Sequence, residues 1–164
     1  MDLKNKLEVG AGTCGAIIIS KDLRNDDKNT MGLSLYGDYK VSDNFTTGLE
    51  LSNAFGYSGK GVFKGSEVKE TTIGLRGRYV KPMDFGSRKG DVYGLVGIAN
   101  HKLSTDPSSS FHENDIGFSF GGGIDLQLTP KVLAGFELRY HVLRGSGSYG
   151  MDMLVLLLKV DYCF

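Results

Sequence analysis

The stretch "LVLLLKVDYCF", residues 154–164, decides the fold, because it separates apolar from charged side chains by parity. Successive side chains of a β-strand point to opposite faces. If this stretch is a strand, Lys159 and Asp161 lie on one face, and the other face carries only apolar or aromatic side chains: Leu154, Leu156, Leu158, Val160, Tyr162 and Phe164. The stretch therefore predicts a strand with one apolar face and one face that holds opposite charges.

The same alternation recurs along the whole chain, in segments of about ten residues separated by turn-rich stretches. It predicts eight strands, near residues 6–18, 31–41, 45–57, 69–80, 91–101, 116–128, 131–143 and 152–164. The longest apolar runs, such as "LVLLL", are far shorter than the ~18 residues that a membrane helix needs. We expect a single all-β domain over residues 1–164, an eight-stranded antiparallel up-and-down barrel.

The predicted connections alternate in length. After the first, third, fifth and seventh strands come the polar stretches "SKDLRNDDKNT", "SGKGVFKGSEV", "HKLSTDPSSSFHEND" and "RGSGSYG", whereas "VSDNF" and "LTPKV" have the composition of tight turns. The connection "KPMDFGSRKG" is longer than this rule allows. The pattern predicts long loops on one rim and mostly short turns on the other.

The volumes of the two faces indicate which one points inward. A soluble barrel such as a lipocalin turns its apolar face inward, but an eight-stranded barrel is only just wide enough for its own side chains. The polar face is the small one, since it carries Gly10, Gly12, Gly32, Ser34, Gly48, Ser52, Gly74, Gly117, Ser119, Gly121, Gly123 and Gly135. We therefore expect the large apolar side chains to face outward into lipid, as in a transmembrane barrel.

Aromatic residues near the strand ends are typical of the two interfacial girdles of such barrels. We assign one girdle to the short-turn rim and one to the loop-rich rim, with Tyr39, Phe45, Tyr79, Tyr93, Tyr162 and Phe164 in the first and Phe55, Tyr57, Phe118 and Tyr140 in the second. The fifth strand mixes the two faces, because Val92, Val96 and Ile98 stand opposite Tyr93 and Leu95. The sequence therefore does not settle which face of the fifth strand points into the lumen.

Charged residues on the small face predict ion pairs inside the barrel. Glu50 faces Arg76 if the hairpin of the third and fourth strands is centred near Phe63, and Glu137 faces Lys159 if the last hairpin is centred near Ser148. The predicted lumen network comprises Glu50, Arg76, Glu137, Arg139, Lys159 and Asp161. A gated ion path is the functional alternative, but eight strands close too tightly for an aqueous channel, which favours a polar plug.

Composition excludes several classes of function. The 19 basic and 19 acidic residues give a formal charge of zero, which implies no nucleic-acid partner. No spacing of metal ligands, phosphate-binding loop or cofactor fingerprint occurs, so we expect no catalytic, cofactor or metal site.

Cys14 and Cys163 show no spacing pattern; they could form one disulfide, and we favour free thiols. The N-terminal "MDLKNKLEV" lacks the apolar core of a secretory signal, so we expect either a protein that is never exported or, as we favour, a mature form with an added Met1.

With these features assembled, the chain resembles the small OmpA/OmpX-type outer-membrane barrels of Gram-negative bacteria. "ELRYHVLRGSGSYGMDMLVLLLKVDYCF" is similar to the closing hairpin of the general outer-membrane β-barrel domain. The alternating terminal residues resemble the family's assembly signal, which the outer-membrane insertion machinery reads: Leu156, Leu158, Val160, Tyr162 and Phe164. The resemblance implies a monomer in the bacterial outer membrane, in contact with its lipid and lipopolysaccharide.

The first functional hypothesis is a non-enzymatic structural or adhesive protein that binds host or surface ligands through its loops, with Phe63, Phe111 and Tyr149 as candidate contacts. The alternative is a lipid A-modifying deacylase or acyltransferase. A His-x-Ser-Asn pattern would support it, but the seventh strand reads "YHVLRGSG", so His141 has no serine two positions later, and His101 and His112 lie in or beside a loop. A soluble lipocalin-like binding barrel is the third and least favoured hypothesis.

Overall fold

The computed structural model describes residues 7–18, 30–58, 67–105, 112–144 and 150–164. Over these ranges the chain forms one closed barrel of eight antiparallel strands, in which each strand pairs with the next and the last pairs with the first. The strands are β1 (Leu7–Ile18), β2 (Thr30–Ser42), β3 (Phe45–Ser58), β4 (Glu67–Phe85), β5 (Arg88–Thr105), β6 (His112–Thr129), β7 (Val132–Arg144) and β8 (Gly150–Cys163). The predicted fold is confirmed.

Among the described residues, none belongs to a helix with the length and apolar character to cross a membrane.

The apolar face points outward, as the side-chain volumes predict. On β6, the side chains of Ile116, Phe118 and Phe120 are more than half exposed, whereas Gly117 and Asp125 on the opposite face are buried. Outward apolar side chains occur on every strand, and 28 of them across the described residues are exposed. This surface requires lipid around it, because a contiguous apolar belt of this extent is not tolerated in water.

The structure settles the facing of β5. Tyr93 and Leu95 are buried in the lumen, while Val96 and Ile98 face outward. The assignment of Tyr93 to the short-turn girdle is therefore wrong: its hydroxyl donates a hydrogen bond to Glu137 at 2.8 Å. The other members of that girdle, and Phe118 of the second, are outward and exposed, whereas the side chains of Phe55 and Tyr57 lie outside the described set.

The connection "KPMDFGSRKG" is a continuation of two strands and not a loop. β4 and β5 stay paired up to Phe85 and Arg88, so only Gly86 and Ser87 form the turn. Gly86 has a φ of 66°, a left-handed conformation that suits glycine in a two-residue hairpin turn. The turns at residues 43–44 and 130–131 have the same length, so all three connections on this rim are short.

The two predicted cross-strand charge pairs are wrong by two residues. Arg76 lies opposite Gly48, and Glu50 lies opposite Gly74. In the last hairpin Lys159 lies opposite Gly135, and Glu137 opposite Leu157. A shift of two residues leaves every side chain on its own face, so the hydrophobic pattern cannot distinguish the two registers. In the β3–β4 pair, a register irregularity between Ala54 and Tyr57 also displaces the hairpin centre.

Candidate functional site: the ion-paired lumen

Among the described residues, four buried cations from three strands lie in the lumen: Arg76 and Arg78 from β4, Arg139 from β7 and Lys159 from β8. For three of these side chains, a glycine at the paired position on a neighbouring strand leaves space. Gly48 lies opposite Arg76, Gly121 opposite Arg139, and Gly135 opposite Lys159. The glycines therefore leave room for charged side chains that larger neighbours would exclude.

The two arginines of β4 share Asp38. Arg76 donates from Nε to Asp38 at 2.9 Å and from its second terminal nitrogen to the other carboxylate oxygen. Arg78 lies 2.9 Å from the same carboxylate and 2.7 Å from Glu8. The guanidinium of Arg76 also stacks on the ring of Tyr36, 3.7 Å from its centroid. Such bidentate and stacked contacts are specific to arginine, so a lysine could not replace Arg76.

Arg139 joins two carboxylates from different strands. It donates to Glu50 on β3 and to Glu137 on its own strand. Ser34 also donates to Glu50 at 2.7 Å. Arg76 lies 4.0 Å from both Glu50 and Glu137, which connects this group to the Asp38 group. Glu50 and Arg76 are therefore near neighbours despite the incorrect predicted register.

Lys159 pairs with carboxylates other than the predicted Glu137. Its ammonium lies 2.7 Å from Asp125 and 2.7 Å from Asp161. The hydroxyl of Tyr36 donates to Asp161 as well. The structure thus places all six predicted network residues in the lumen and adds members that the sequence analysis missed: Glu8, Tyr36, Asp38, Arg78, Tyr93 and Asp125. Parity would have revealed most of these, because they fall on the small face of their strands.

Three of these carboxylates could suit a metal ion. Glu8, Asp125 and Asp161 each offer an oxygen, and the three oxygens lie within 4.8 Å of one another. However, the ammonium of Lys159 contacts both aspartates, and Arg78 lies 3.6 Å from Asp125. The protein's own cations therefore supply the positive charge that this acidic cluster needs.

A second polar group lies nearer the loop-rich rim. Because β5 continues to Thr105, His101 lies within a strand of the barrel and not in the predicted loop. Its Nδ1 lies 2.5 Å from Glu70 and 3.1 Å from Thr72. The ring of His141 lies edge-on to it, with centroids 5.8 Å apart.

This group does not form a hydrolase triad within the described residues. Ser119 is the cross-strand neighbour of His141, but neither ring nitrogen of His141 has a hydrogen-bond partner. The carboxylate of Glu70 orients the other histidine, His101. The serine lies beside His141, whereas the carboxylate contacts His101. A triad needs a single histidine between the serine nucleophile and the orienting carboxylate, and this arrangement does not provide one. The side chain of His112 lies outside the described set.

Between the two polar groups is a cavity of about 50 Å³, with Glu50, Glu70, Arg139 and His141 in its wall. This volume has room for a few water molecules. Glu50 and Arg139, which pair with each other, both lie in this wall. The described part of the lumen therefore holds ion-paired side chains beside a small cavity.

The remaining predicted residues divide into two groups. The C-terminal residues face outward and are 42–58% exposed: Leu156, Leu158, Val160, Tyr162 and Phe164. The rings of Tyr162 and Phe164 make a T-shaped contact, with centroids 4.9 Å apart. The candidate loop contacts Phe63, Phe111 and Tyr149 lie outside the described residues. Cys14 and Cys163 are both free thiols.

A closed eight-stranded barrel with an apolar outer belt and an ion-paired lumen defines a small transmembrane β-barrel. The family model for the outer membrane protein beta-barrel domain matches residues 3–164. The chain belongs to this family and is a protein of the bacterial outer membrane.

Solved structures share the fold at low sequence identity. Neisserial surface protein A has a TM-score of 0.78 at 16% identity, over 96% of this chain and 97% of that one. OprG from Pseudomonas aeruginosa has a TM-score of 0.68 at 18% identity, over 98% of this chain and 97% of that one. Ail of Yersinia pestis has a TM-score of 0.61 at 14% identity, over 98% and 99%. Among curated proteins, none matches the sequence significantly.

Deletion of Phe164 would distinguish two roles of the C-terminus: an assembly signal and a packing residue at the membrane interface. We expect the truncated chain to insert poorly in cells but to fold almost normally in detergent, because an assembly signal acts only through the insertion machinery. The measurement compares the amount of barrel in isolated outer membranes with the yield of β-structure after refolding. Equal losses in both settings would assign Phe164 a purely interfacial packing role with Tyr162.

Proposed function

We propose that this protein is a non-enzymatic, monomeric barrel that binds surface or host ligands through its loop-rich rim. The supporting observation is the ion-paired lumen, whose buried charges hold strands that are distant in sequence. Arg78 of β4 pairs with Glu8 of β1, and Arg139 of β7 with Glu50 of β3. A plugged barrel offers no route for transport, but it is a rigid support for variable connections.

The distribution of chain between the rims supports the same proposal. The short-turn rim uses two residues for each connection, at 43–44, 86–87 and 130–131. The opposite rim carries the connections 19–29, 59–66, 106–111 and 145–149, whose sequences are rich in Ser, Gly, Asp and Lys. Residues that are not needed to close the barrel are concentrated on this rim, where a ligand outside the cell can reach them.

One structural neighbour is named for a related activity. Ail is described as an attachment invasion locus protein, and a second structure contains Ail with the heparin analogue sucrose octasulfate. At 14% identity this likeness concerns the fold, so the ligand of Ail is not transferred to this chain. It supports the view that a barrel of this size can bind a ligand.

The test is to shorten the connections 19–29 and 106–111 to two-residue turns, separately and together. We expect each variant to keep its β-rich spectrum in detergent and to lose binding of expressing cells to immobilised matrix or cell surfaces. The matched control replaces Gly86 and Ser87 with Asn-Gly, which changes a turn on the opposite rim and should leave binding intact.

The lipid A-modifying alternative predicts a different result. Lipid A incubated with the intact protein is analysed by mass spectrometry, with the variant His141→Ala in parallel. Release or transfer of an acyl chain that disappears in the variant would replace the binding proposal with the lipid A-modifying alternative. Unchanged adhesion after removal of both connections would equally contradict the proposal.

A further inference from the structure

The ring of His141 on β7 is buried in the lumen without a hydrogen-bond partner. Its side chain is 9% exposed, and among the described residues neither ring nitrogen has a partner. It lies in the wall of the cavity of about 50 Å³. A neutral imidazole has one donor and one acceptor, which water in a polar cavity can satisfy. A protonated ring would need a counter-ion as well, because an unpaired buried charge is costly.

The neighbouring His101 has the counter-ion that His141 lacks. Its Nδ1 lies 2.5 Å from the carboxylate of Glu70. The two rings meet edge-on, with centroids 5.8 Å apart. A proton on His101 is therefore balanced by a carboxylate, whereas a proton on His141 is not.

The carboxylates in the cavity wall already bind other side chains. Glu50 accepts hydrogen bonds from Arg139 and Ser34. Glu70 contacts His101 and accepts a hydrogen bond from Thr72 at 3.2 Å. Neither carboxylate forms a hydrogen bond with the ring of His141.

The other charged groups near His141 do not supply a counter-ion. Asp115 is buried on β6, but it is four residues from Ser119, the cross-strand neighbour of His141, or about 13 Å along the strand. Asp152 pairs with Val142 on β7, so it belongs to the outward face by parity. The cavity wall contributes three further titratable groups: Cys14, Arg76 and Arg139. The side chains of Glu67, Glu113 and Arg144 lie outside the described set.

A proton on His141 would place its charge between two other positive groups. Arg139 lies two residues earlier on the same face of β7, so the bases of the two side chains are about 7 Å apart. His101 is on the opposite side of the ring's environment, held by Glu70. Repulsion between like charges is strong where water is excluded. The closed lumen therefore favours neutral His141, and a proton favours an opened state in which the ring reaches water.

We propose that His141 makes the loop-ward ends of β7 and β8 acid-sensitive, because protonation of its ring opens these ends of the barrel. The part of the wall that supports the loop-rich rim is then less firmly closed in acid than at neutral pH. This inference concerns the barrel wall and does not depend on what the rim binds.

The position of the response distinguishes His141 from the carboxylates of the Lys159 group. Asp125 and Asp161 contact Lys159 towards the short-turn rim. Their protonation would loosen that end of the barrel, whereas protonation of His141 would loosen the loop-ward end. A measurement resolved along the strands therefore separates the two.

The test is hydrogen–deuterium exchange of the intact protein in detergent micelles at pH 7 and pH 5, followed by mass spectrometry of peptides. Labelling times are scaled for the intrinsic pH dependence of exchange. Peptides from the loop-ward segments 138–144 and 151–157 are compared with the short-turn segments 132–137 and 158–163. The variant is His141→Gln, which cannot be protonated. The matched control is His112→Gln, which removes the remaining histidine of the chain.

The expected size follows from proton linkage. An exposed imidazole takes up a proton near pH 6.5. An opening that admits one proton becomes up to about tenfold more frequent for each pH unit below this value, or about 30-fold at pH 5. We expect this acceleration in the loop-ward segments of the wild type and of His112→Gln, and its loss in His141→Gln.

Ser119→Asp is a second variant that keeps the histidine. It places a carboxylate beside His141 on the neighbouring strand, so the protonated ring gains a counter-ion and the acid response should disappear. This variant also provides the test if His141→Gln does not refold. Acceleration that persists in the variants would overturn the proposal, as would acceleration equal in the short-turn segments or none in the wild type.

Discussion

Replacement of Lys159 with methionine should lower the unfolding free energy of the barrel by about 3–5 kcal/mol. The side chains of Lys159 and Asp161 are completely buried, and the ammonium also lies 2.7 Å from Asp125. Without the ammonium, two neighbouring carboxylates lose their shared cation in a site that water cannot reach. Urea unfolding of the refolded barrel in lipid or detergent measures the loss.

The double variant Lys159→Met with Asp161→Asn should be more stable than Lys159→Met alone. Removal of Asp161 leaves one carboxylate, Asp125, which keeps Arg78 at 3.6 Å. A double-mutant cycle on Lys159 and Asp161 should therefore give a large coupling energy, whereas the cycle on Lys159 and Glu137 should give a smaller one. Additive effects at Lys159 and Asp161 would contradict direct pairing.

Gly121→Val should prevent formation of the closed barrel. A β-carbon at Gly121 would overlap the carbonyl oxygen of Leu138 and would lie 2.9 Å from the α-carbon of Arg139. Both obstacles are backbone atoms of β7, so no side-chain rotation relieves the overlap. We expect a cost above the ~1–3 kcal/mol usual for overpacking. The yield of β-structure after refolding in detergent measures it.

Gly94→Val is the matched control, because Gly94 lies on the outward face of the neighbouring strand. A β-carbon there has no described atom closer than the carbonyl oxygen of Gly121, at 3.9 Å. The added methyl groups would enter lipid, so the control should fold as the wild type does. If Gly121→Val folded equally well, the close approach of β6 and β7 would not be a requirement of closure.

Parity in the sequence was sufficient to predict the strands, the barrel and the outward direction of the apolar face. It succeeded because an exchange of faces would move every large side chain, such as Phe118 and Phe120, into a space that cannot hold them. It did not settle β5, where Tyr93 and Leu95 are large lumen residues. Tyr93 fits because Gly123 is its cross-strand neighbour on β6.

Register and partner choice could not be predicted from the sequence. A shift of two residues preserves both faces, so nothing in the pattern distinguished Gly48 from Glu50 as the neighbour of Arg76. Moreover, the strongest contacts cross the lumen instead of following the hairpins: Arg139 reaches Glu50, 89 residues away in sequence. Such pairs depend on the tilt and stagger of the closed barrel, which single strands do not encode.

The arrangement of apolar side chains toward lipid and charged side chains in the lumen is open to direct measurement. Spin labels at consecutive positions of β8, from 155 to 160, test it most directly, with Cys14 and Cys163 first replaced by serine. In bilayers, the accessibility of each label to lipid-soluble oxygen is measured by electron paramagnetic resonance. We expect high accessibility at Leu156, Leu158 and Val160, and low accessibility at the positions between them. The opposite phase, or no alternation, would contradict it.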